Sequence, residues 1–312
     1  MAGTSLDYDV WIPEEWDSKV IQRVKKASVI ELVARSEPMS TDLKHVPRSG
    51  AIAWAVKAKN TDYTASTGTE GEVQLIARKP TSLFFVAEED LADSAPSILE
   101  AKKYDAALDY AKFLDHACLG VNAVENGTTI PFTSLFKHLS TTDATVPGGT
   151  YTANDNVKTV ATGAWATPYL DLSELLSRVE GNDYWDDSTG VVIAHPSFKR
   201  ELRDVLDAND RPIMVETATG DGVVHSIFGY PIHWTFGCRL DTTAKSQPTS
   251  TNHTLLYFAN KNLLLRGDRA GLESAVSREA GWIADQVAIK MRARKGFTVG
   301  HPRGFAVIDR TP

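Results

Sequence analysis

Cysteine is nearly absent from this chain: among 312 residues there are 2, Cys118 and Cys238, far apart in sequence. That excludes a disulfide framework and a cysteine-rich zinc site, and fits reduced, buried thiols. Long apolar runs are missing too. No stretch approaches the roughly 20 residues a membrane helix needs, and residues 1–7 lack the basic and apolar regions of a signal peptide, so a protein made and kept in a cytoplasm is expected. No glycine-rich phosphate loop, zinc-type Cys/His cluster or nucleophile elbow occurs. Excess positive charge is also lacking, since the formal net charge of -7 argues against nucleic-acid binding over the whole surface and leaves only local basic patches. The remaining composition is that of an ordinary soluble globular protein. The length allows one large core or two modest ones.

The candidates for chemistry are weak. His195-Pro196-Ser197 and His233-Trp234 resemble a base beside a nucleophile, but a His-Pro helix start and an aromatic strand account for them structurally. His116 and Cys118 stand two apart on a helix and point to different faces. Asp183, Asp186 and Asp187 offer carboxylates to a hard cation, at a spacing that is not that of a calcium loop. A solvated acidic loop is the simpler reading. No catalytic, cofactor or metal residue is therefore assigned, and the chain is read as a non-enzyme.

What is present is an ordered run over residues 40–120. The segments Ala51-Ile52-Ala53-Trp54-Ala55-Val56-Lys57 and Glu72-Val73-Gln74-Leu75-Ile76-Ala77-Arg78 alternate as half-buried strands do, and a polar tip separates them. Such a ribbon is marginal alone in water. It needs a neighbouring molecule to lie on, and Ile52, Trp54, Val73 and Leu75 are the apolar side chains expected to meet it. A long helix is expected over residues 96–119, with Leu99, Ala106, Tyr110, Phe113, Leu114 and Ala117 on one stripe. Before the ribbon, Trp16, Val20, Val24, Ala27 and Ile30 recur at helical spacing in an arm ending near Pro38, whose Arg23, Lys25 and Lys26 read as a solvated face. Trp16 and Val20 are further expected contacts with a neighbour. Residues 122–267 read as a compact α+β lobe. It holds a short helix opened by Asp171 and Ser173, a buried strand Val191-Val192-Ile193-Ala194, a helix after His195-Pro196, and strands at residues 230–236 and 254–259. Residues 287–294 then alternate Val287, Ile289 and Met291 with Lys290, Arg292 and Arg294. The long helix is the expected cover for their apolar face.

This order of arm, ribbon, long helix, inserted lobe and closing strand resembles the major capsid protein of tailed bacteriophages, with the Hong Kong 97 fold. Ile12-Pro13-Glu14-Glu15-Trp16, Phe84-Phe85-Val86-Ala87-Glu88-Glu89-Asp90-Leu91-Ala92-Asp93-Ser94 and Arg292-Ala293-Arg294-Lys295-Gly296-Phe297 carry the likeness. The resemblance implies an α+β chain with an N-terminal arm (1–38), an extended loop (39–88), a peripheral domain with the spine helix (89–121 and 268–312) and an inserted axial domain (122–267). It implies a self-assembling structural protein of the virion. Pentamers and hexamers would build an icosahedral head around double-stranded DNA, assembled in the bacterial cytoplasm. The expected partners are further copies of the chain, a separate scaffolding protein, a portal, the DNA and in some systems a decoration protein, with no membrane. Some members of that family join a loop lysine to an asparagine, with a catalytic glutamate. Lys57 and Lys59 offer the amine, but Gln286 and Ala293 stand at the matching places and residues 280–312 contain neither Asn nor Glu. The shell is accordingly expected to be non-covalent. Two rivals are an encapsulin-type compartment, to be recognised by a cargo enzyme in place of DNA, and a cytoplasmic hydrolase built on residues 122–267, which would need a nucleophile and base in one pocket.

Overall fold

The computed structural model describes residues 27–311 apart from 67, 69, 94–97, 162–164, 166, 208, 220–221 and 249–252. The first element among the described residues is a short helix α1 (Val29–Val33), capped by Ser28, whose Oγ accepts the Glu31 N–H at 3.2 Å. Strand β1 (Arg35–Pro38) follows, then a ribbon of β2 (Leu43–Ser49) and β3 (Glu70–Ile76), then β4 (Thr81–Ala87) and a helix α2 (Glu88–Asp93). The spine helix α3 (Ile98–Leu119) comes next and, at 1.5 Å per residue, spans about 33 Å. The lobe beyond it contains α4 (Leu135–Leu139), β5 (Val157–Ala161), α5 (Pro168–Glu180), β6 (Gly190–Ala194), α6 (Phe198–Asp204), β7 (Met214–Thr219), β8 (Gly222–Ile227), β9 (Tyr230–Trp234) and β10 (Thr254–Asn260). Two long strands, β11 (Leu264–Gly281) and β12 (Gln286–Val299), form a hairpin, and β13 (Phe305–Thr311) closes the chain.

The strands form a four-stranded sheet in the order β1-β11-β12-β4, a seven-stranded sheet in the order β5-β13-β10-β6-β9-β8-β7, and the ribbon β2-β3. In the seven-stranded sheet β10 is buried along its whole length, which requires cover on both faces. Leu255 and Tyr257 face a core shared with Leu114, Ala117 and Cys118 of α3 and Leu135 of α4. Leu256 and Phe258 face the other core, with Leu172, Leu175 and Val179 of α5 and Phe198 of α6. The four-stranded sheet turns Phe84 and Met291 towards Ala106, Tyr110 and Phe113 of α3, across an open groove of about 660 Å³. Val287, Ile289 and Met291 are buried while Lys290 and Arg292 are exposed, as the alternation of that segment predicts.

Three expectations are corrected. The alternating segment at residues 51–57 is not a strand of the subunit; β3 pairs instead with Leu43–Ser49, from Leu43 opposite Ile76 to Ser49 opposite Glu70. The helix at the end of the arm stops at Val33, and residues 35–38 add to β11 as a parallel strand rather than continuing it. The closing segment is divided. β12 belongs to the sheet beneath the spine helix, but β13 lies between β5 and β10 in the lobe's own sheet, because Phe305 to Arg310 are all buried and need layers on both sides. The expected helix over residues 13–26, with Trp16 and Val20, lies outside the described residues.

Candidate functional site

Between β2 and β3 the chain leaves the body of the molecule. Residues 51–66 are exposed, with Trp54 at 96% and Tyr63 at 92% of full exposure, and with Ile52 and Val56 beside them. The segment turns at Asn60, whose φ of 65° is tolerated by a short polar side chain, and the Thr61 N–H returns to the Ala58 carbonyl at 3.2 Å. Cross-loop contacts are few and polar. The Ala53 N–H donates to Ser66 Oγ at 3.1 Å, and Lys57 Nζ donates to Thr64 Oγ1 at 2.7 Å. Four large apolar side chains in water, on a segment without a core, mark a surface for another molecule.

The base of this loop is fixed. Leu75 is fully buried against Gly267 and Gly296, and a Cβ at Gly267 would press on Met39 Sδ and sit 2.9 Å from Leu75 Cδ2, so a larger residue there would have to displace those side chains. Arg48 donates to the Val299 carbonyl at 3.2 Å and to Asp143 at 3.5 Å. Of the side chains expected to meet a neighbour, Val73 and Leu75 are therefore packed inside their own subunit and withdrawn from that role, whereas Ile52 and Trp54 point into solvent. The tip of the β11–β12 hairpin carries a second exposed apolar pair, Trp282 and Ile283, which the sequence reading passed over. Its signal was an apolar pair placed directly after Gly281.

A buried carboxylate holds the root of the arm. Asp115 on α3 accepts hydrogen bonds from Ser28 Oγ at 2.5 Å, the Val29 and Ile30 N–H groups at 3.1 Å, and Thr235 Oγ1 at 2.6 Å. Burial pushes its carboxyl above the usual range, opposed by these donors. Gly237 lies so close that a Cβ would come within 2.6 Å of the His116 backbone nitrogen. The arm, the spine helix and the lobe thus meet at one point.

The candidate reactive groups are structural. Cys118 and Cys238 are free and fully buried, and burial raises both thiols well above their ordinary value. His195 Nδ1 lies 2.9 Å from Ser197 Oγ and accepts the Ser197 N–H at 3.1 Å, while Arg310 donates to the same hydroxyl at 2.9 Å. Burial lowers His195 to about 4, too low for a general base at neutral pH. Burial likewise lowers His233, and His116 falls to about 4 while its Nδ1 accepts the Lys245 N–H. Asp186 caps the Ser188 N–H, and Asp187 accepts from Trp185 and Tyr230. Among the described residues no group of three or more His, Cys, Asp or Glu is arranged to hold a metal ion, and no helix is long and apolar enough to cross a membrane. Ala293 is buried in β12, and Gln286 stands opposite Ala87 at the strand's start.

A model of the phage capsid family matches residues 9–309. Among solved structures, a chain of Microbacterium phage Oxtober96 superposes with a TM-score of 0.71 at 18% identity, over 97% of this chain and 98% of that one. A chain of Mycobacterium phage Ogopogo gives 0.72 at 14% identity, over 99% and 100%. The capsid of an empty GTA particle gives 0.71 at 13% identity, over 99% and 98%. At such identities the likeness establishes the fold. No curated protein matches in sequence.

Proposed function

The chain belongs to the phage capsid family and is a major capsid protein of the Hong Kong 97 fold, and from that premise we propose that loop 50–66 is the clasp through which its copies join. Its place is the virion shell, and its role is structural. Five or six copies would close into capsomers of an icosahedral head enclosing double-stranded DNA, since heterologous contacts repeated by rotation form rings. Assembly would take place in the bacterial cytoplasm on a separate scaffolding protein, with a portal at one vertex and room for a decoration protein outside. The links would be non-covalent, because Gln286 and Ala293 stand where the asparagine and the catalytic glutamate of the cross-linking members are expected, and residues 280–312 contain neither Asn nor Glu. The encapsulin reading is not favoured, as the matching family is that of phage capsids.

The observation that carries this reading is the exposure of Ile52, Trp54, Val56 and Tyr63 on a segment that contributes nothing to its own core. Burial of each large side chain against a neighbour would contribute on the order of 1.5–3 kcal/mol, and many copies in one shell multiply the effect. Replacing residues 50–68 with a short Gly-Ser linker leaves β2 and β3 intact. The expected result is a folded subunit with a cooperative melt and no capsids. Normal shells from the shortened chain would show that the clasp lies elsewhere.

A further inference from the structure

At one end of the seven-stranded sheet, three buried polar atoms have no hydrogen-bond partner: Nε2 of His195, Nε of Arg239 and Oγ1 of Thr254. His195 is 4% exposed and Thr254 5%, so neither side chain turns out to bulk solvent instead. The topology gathers the three residues. β6 and β9 are parallel, and β10 runs against both β6 and β13, so β6, β9 and β13 point the same way. His195 directly follows β6, Arg239 lies a short way past β9, and Thr254 opens β10 beside their ends. The carboxyl ends of parallel strands are where open sheets hold ligands.

The side chains also share a face. Thr254 stands opposite Arg310 of β13 on one side and Arg239 on the other. The Leu255 N–H to Cys238 carbonyl bond at 3.0 Å and the Leu240 N–H to His253 carbonyl bond at 2.9 Å flank the Arg239–Thr254 pair, which makes it the narrow kind, with side chains closest. His195 reaches in from β6. Its Nδ1 and an Nη of Arg310 each lie 2.9 Å from the Ser197 hydroxyl, and burial, then the charges of Arg239 and Arg310, lower its ring to about 4.

The chemistry of this cluster is one-sided. Because Nδ1 accepts the Ser197 N–H, neutral His195 carries its proton on Nε2, and that atom is a donor. Arg239 Nε is a donor as well, and the Thr254 hydroxyl is free to act as a third. Glu201 balances Arg310 at 2.6 Å and bonds none of the three, although its own Oε2 has no partner. Arg239 has no ion pair among the described residues, and its Nη1 goes to the Pro248 carbonyl at 3.2 Å. A buried donor set beside an unbalanced guanidinium calls for a negative acceptor. We propose that His195, Arg239 and Thr254 bind one small inorganic anion, of the class of chloride or phosphate. With His195, Thr254 and Arg310 all under 9% exposed, the backbone of a polyanion has no approach, which restricts the guest to a free ion. The bound ion would tie the segment after β9 to the ends of β6 and β10, and the site stands whether or not loop 50–66 is the clasp.

Equilibrium dialysis of the dissociated subunit, freed of both ions and held at constant ionic strength, tests the site with radiolabelled phosphate in one arm and radiolabelled chloride in the other. The expected result is saturable uptake of one ion per chain in at least one arm, and the arms tell which ion it is. Arg239→Gln and Thr254→Val should each weaken that uptake about tenfold or more, the scale of a lost charge-assisted hydrogen bond, while Lys290→Gln on the exposed face of β12 should leave it unchanged. Absence of saturable uptake in both arms overturns the proposal, and so does uptake that the two site variants do not alter. If neither variant folds, hydrogen exchange on the unmodified chain decides. The ion that binds should slow amides around His195, Arg239 and Thr254 and leave those of β2 and β3 as they were, and unchanged exchange around all three residues overturns the proposal.

Discussion

Asp115 gathers four buried hydrogen bonds from two distant segments, and it was hard to read in advance. In sequence it stands between Leu114 and His116-Ala117-Cys118, inside the stripe that faces the core, and a carboxylate there is a visible anomaly. What could not be read were its donors, which lie 87 residues before it at Ser28 and 120 residues after it at Thr235. Asp115→Ala strips the acceptor from four buried donors in two distant segments. An unsatisfied buried donor costs about 1–3 kcal/mol, and with water able to reach some of them the subunit should lose about 3 kcal/mol in all. A urea melt of the dissociated subunit measures it; an unchanged midpoint would mean that the arm's root is held by apolar contacts alone. The two cysteines were legible for the opposite reason. Free, scarce and set in apolar surroundings, they bury themselves, and nothing distant is needed to say so.

Among the elements, the spine helix, the amphipathic α5 and the alternating β12 were legible because each carries its own periodicity, and β6 because it is a short continuous apolar run. The ribbon was misread by one segment. Residues 51–57 and 43–49 both alternate; in the fold β3 pairs with Leu43–Ser49, and Leu75 of β3 lies against Gly267 and Gly296. That contact is non-local and has no sequence signature. The place of β13 was hidden in the same way, since its buried run says that it needs two layers but not which sheet supplies them. The two halves of the ribbon should separate in experiment. Leu75→Ala opens a cavity in the subunit and should lower its stability by about 2–5 kcal/mol. Trp54→Ala should leave the subunit's melt within about 0.5 kcal/mol of the parent, as for an exposed side chain, yet slow or abolish assembly. A Trp54→Ala subunit that melts like the Leu75→Ala one would place the loop in the subunit's own core.

At the scale of the whole molecule, the subunit carries apolar surface that a solitary protein would hide: the loop around Trp54 and the hairpin tip at Trp282 and Ile283. Both lie away from the lobe's two-sided core, so the subunit can fold before it assembles. A shell held by such surfaces alone returns its chain at monomer mass when particles are boiled in detergent, and a covalent ladder would contradict the non-covalent reading. The net charge of -7 would suit the proposed container for DNA, because a strongly cationic lining would hold the genome against the wall. If the exposed loop makes this chain a shell-former, light scattering coupled to size exclusion, on protein produced with its scaffold, will show a megadalton-scale species of uniform mass for the intact chain and a monomer when residues 50–68 are replaced. A stable monomer from the intact chain under all conditions would contradict it.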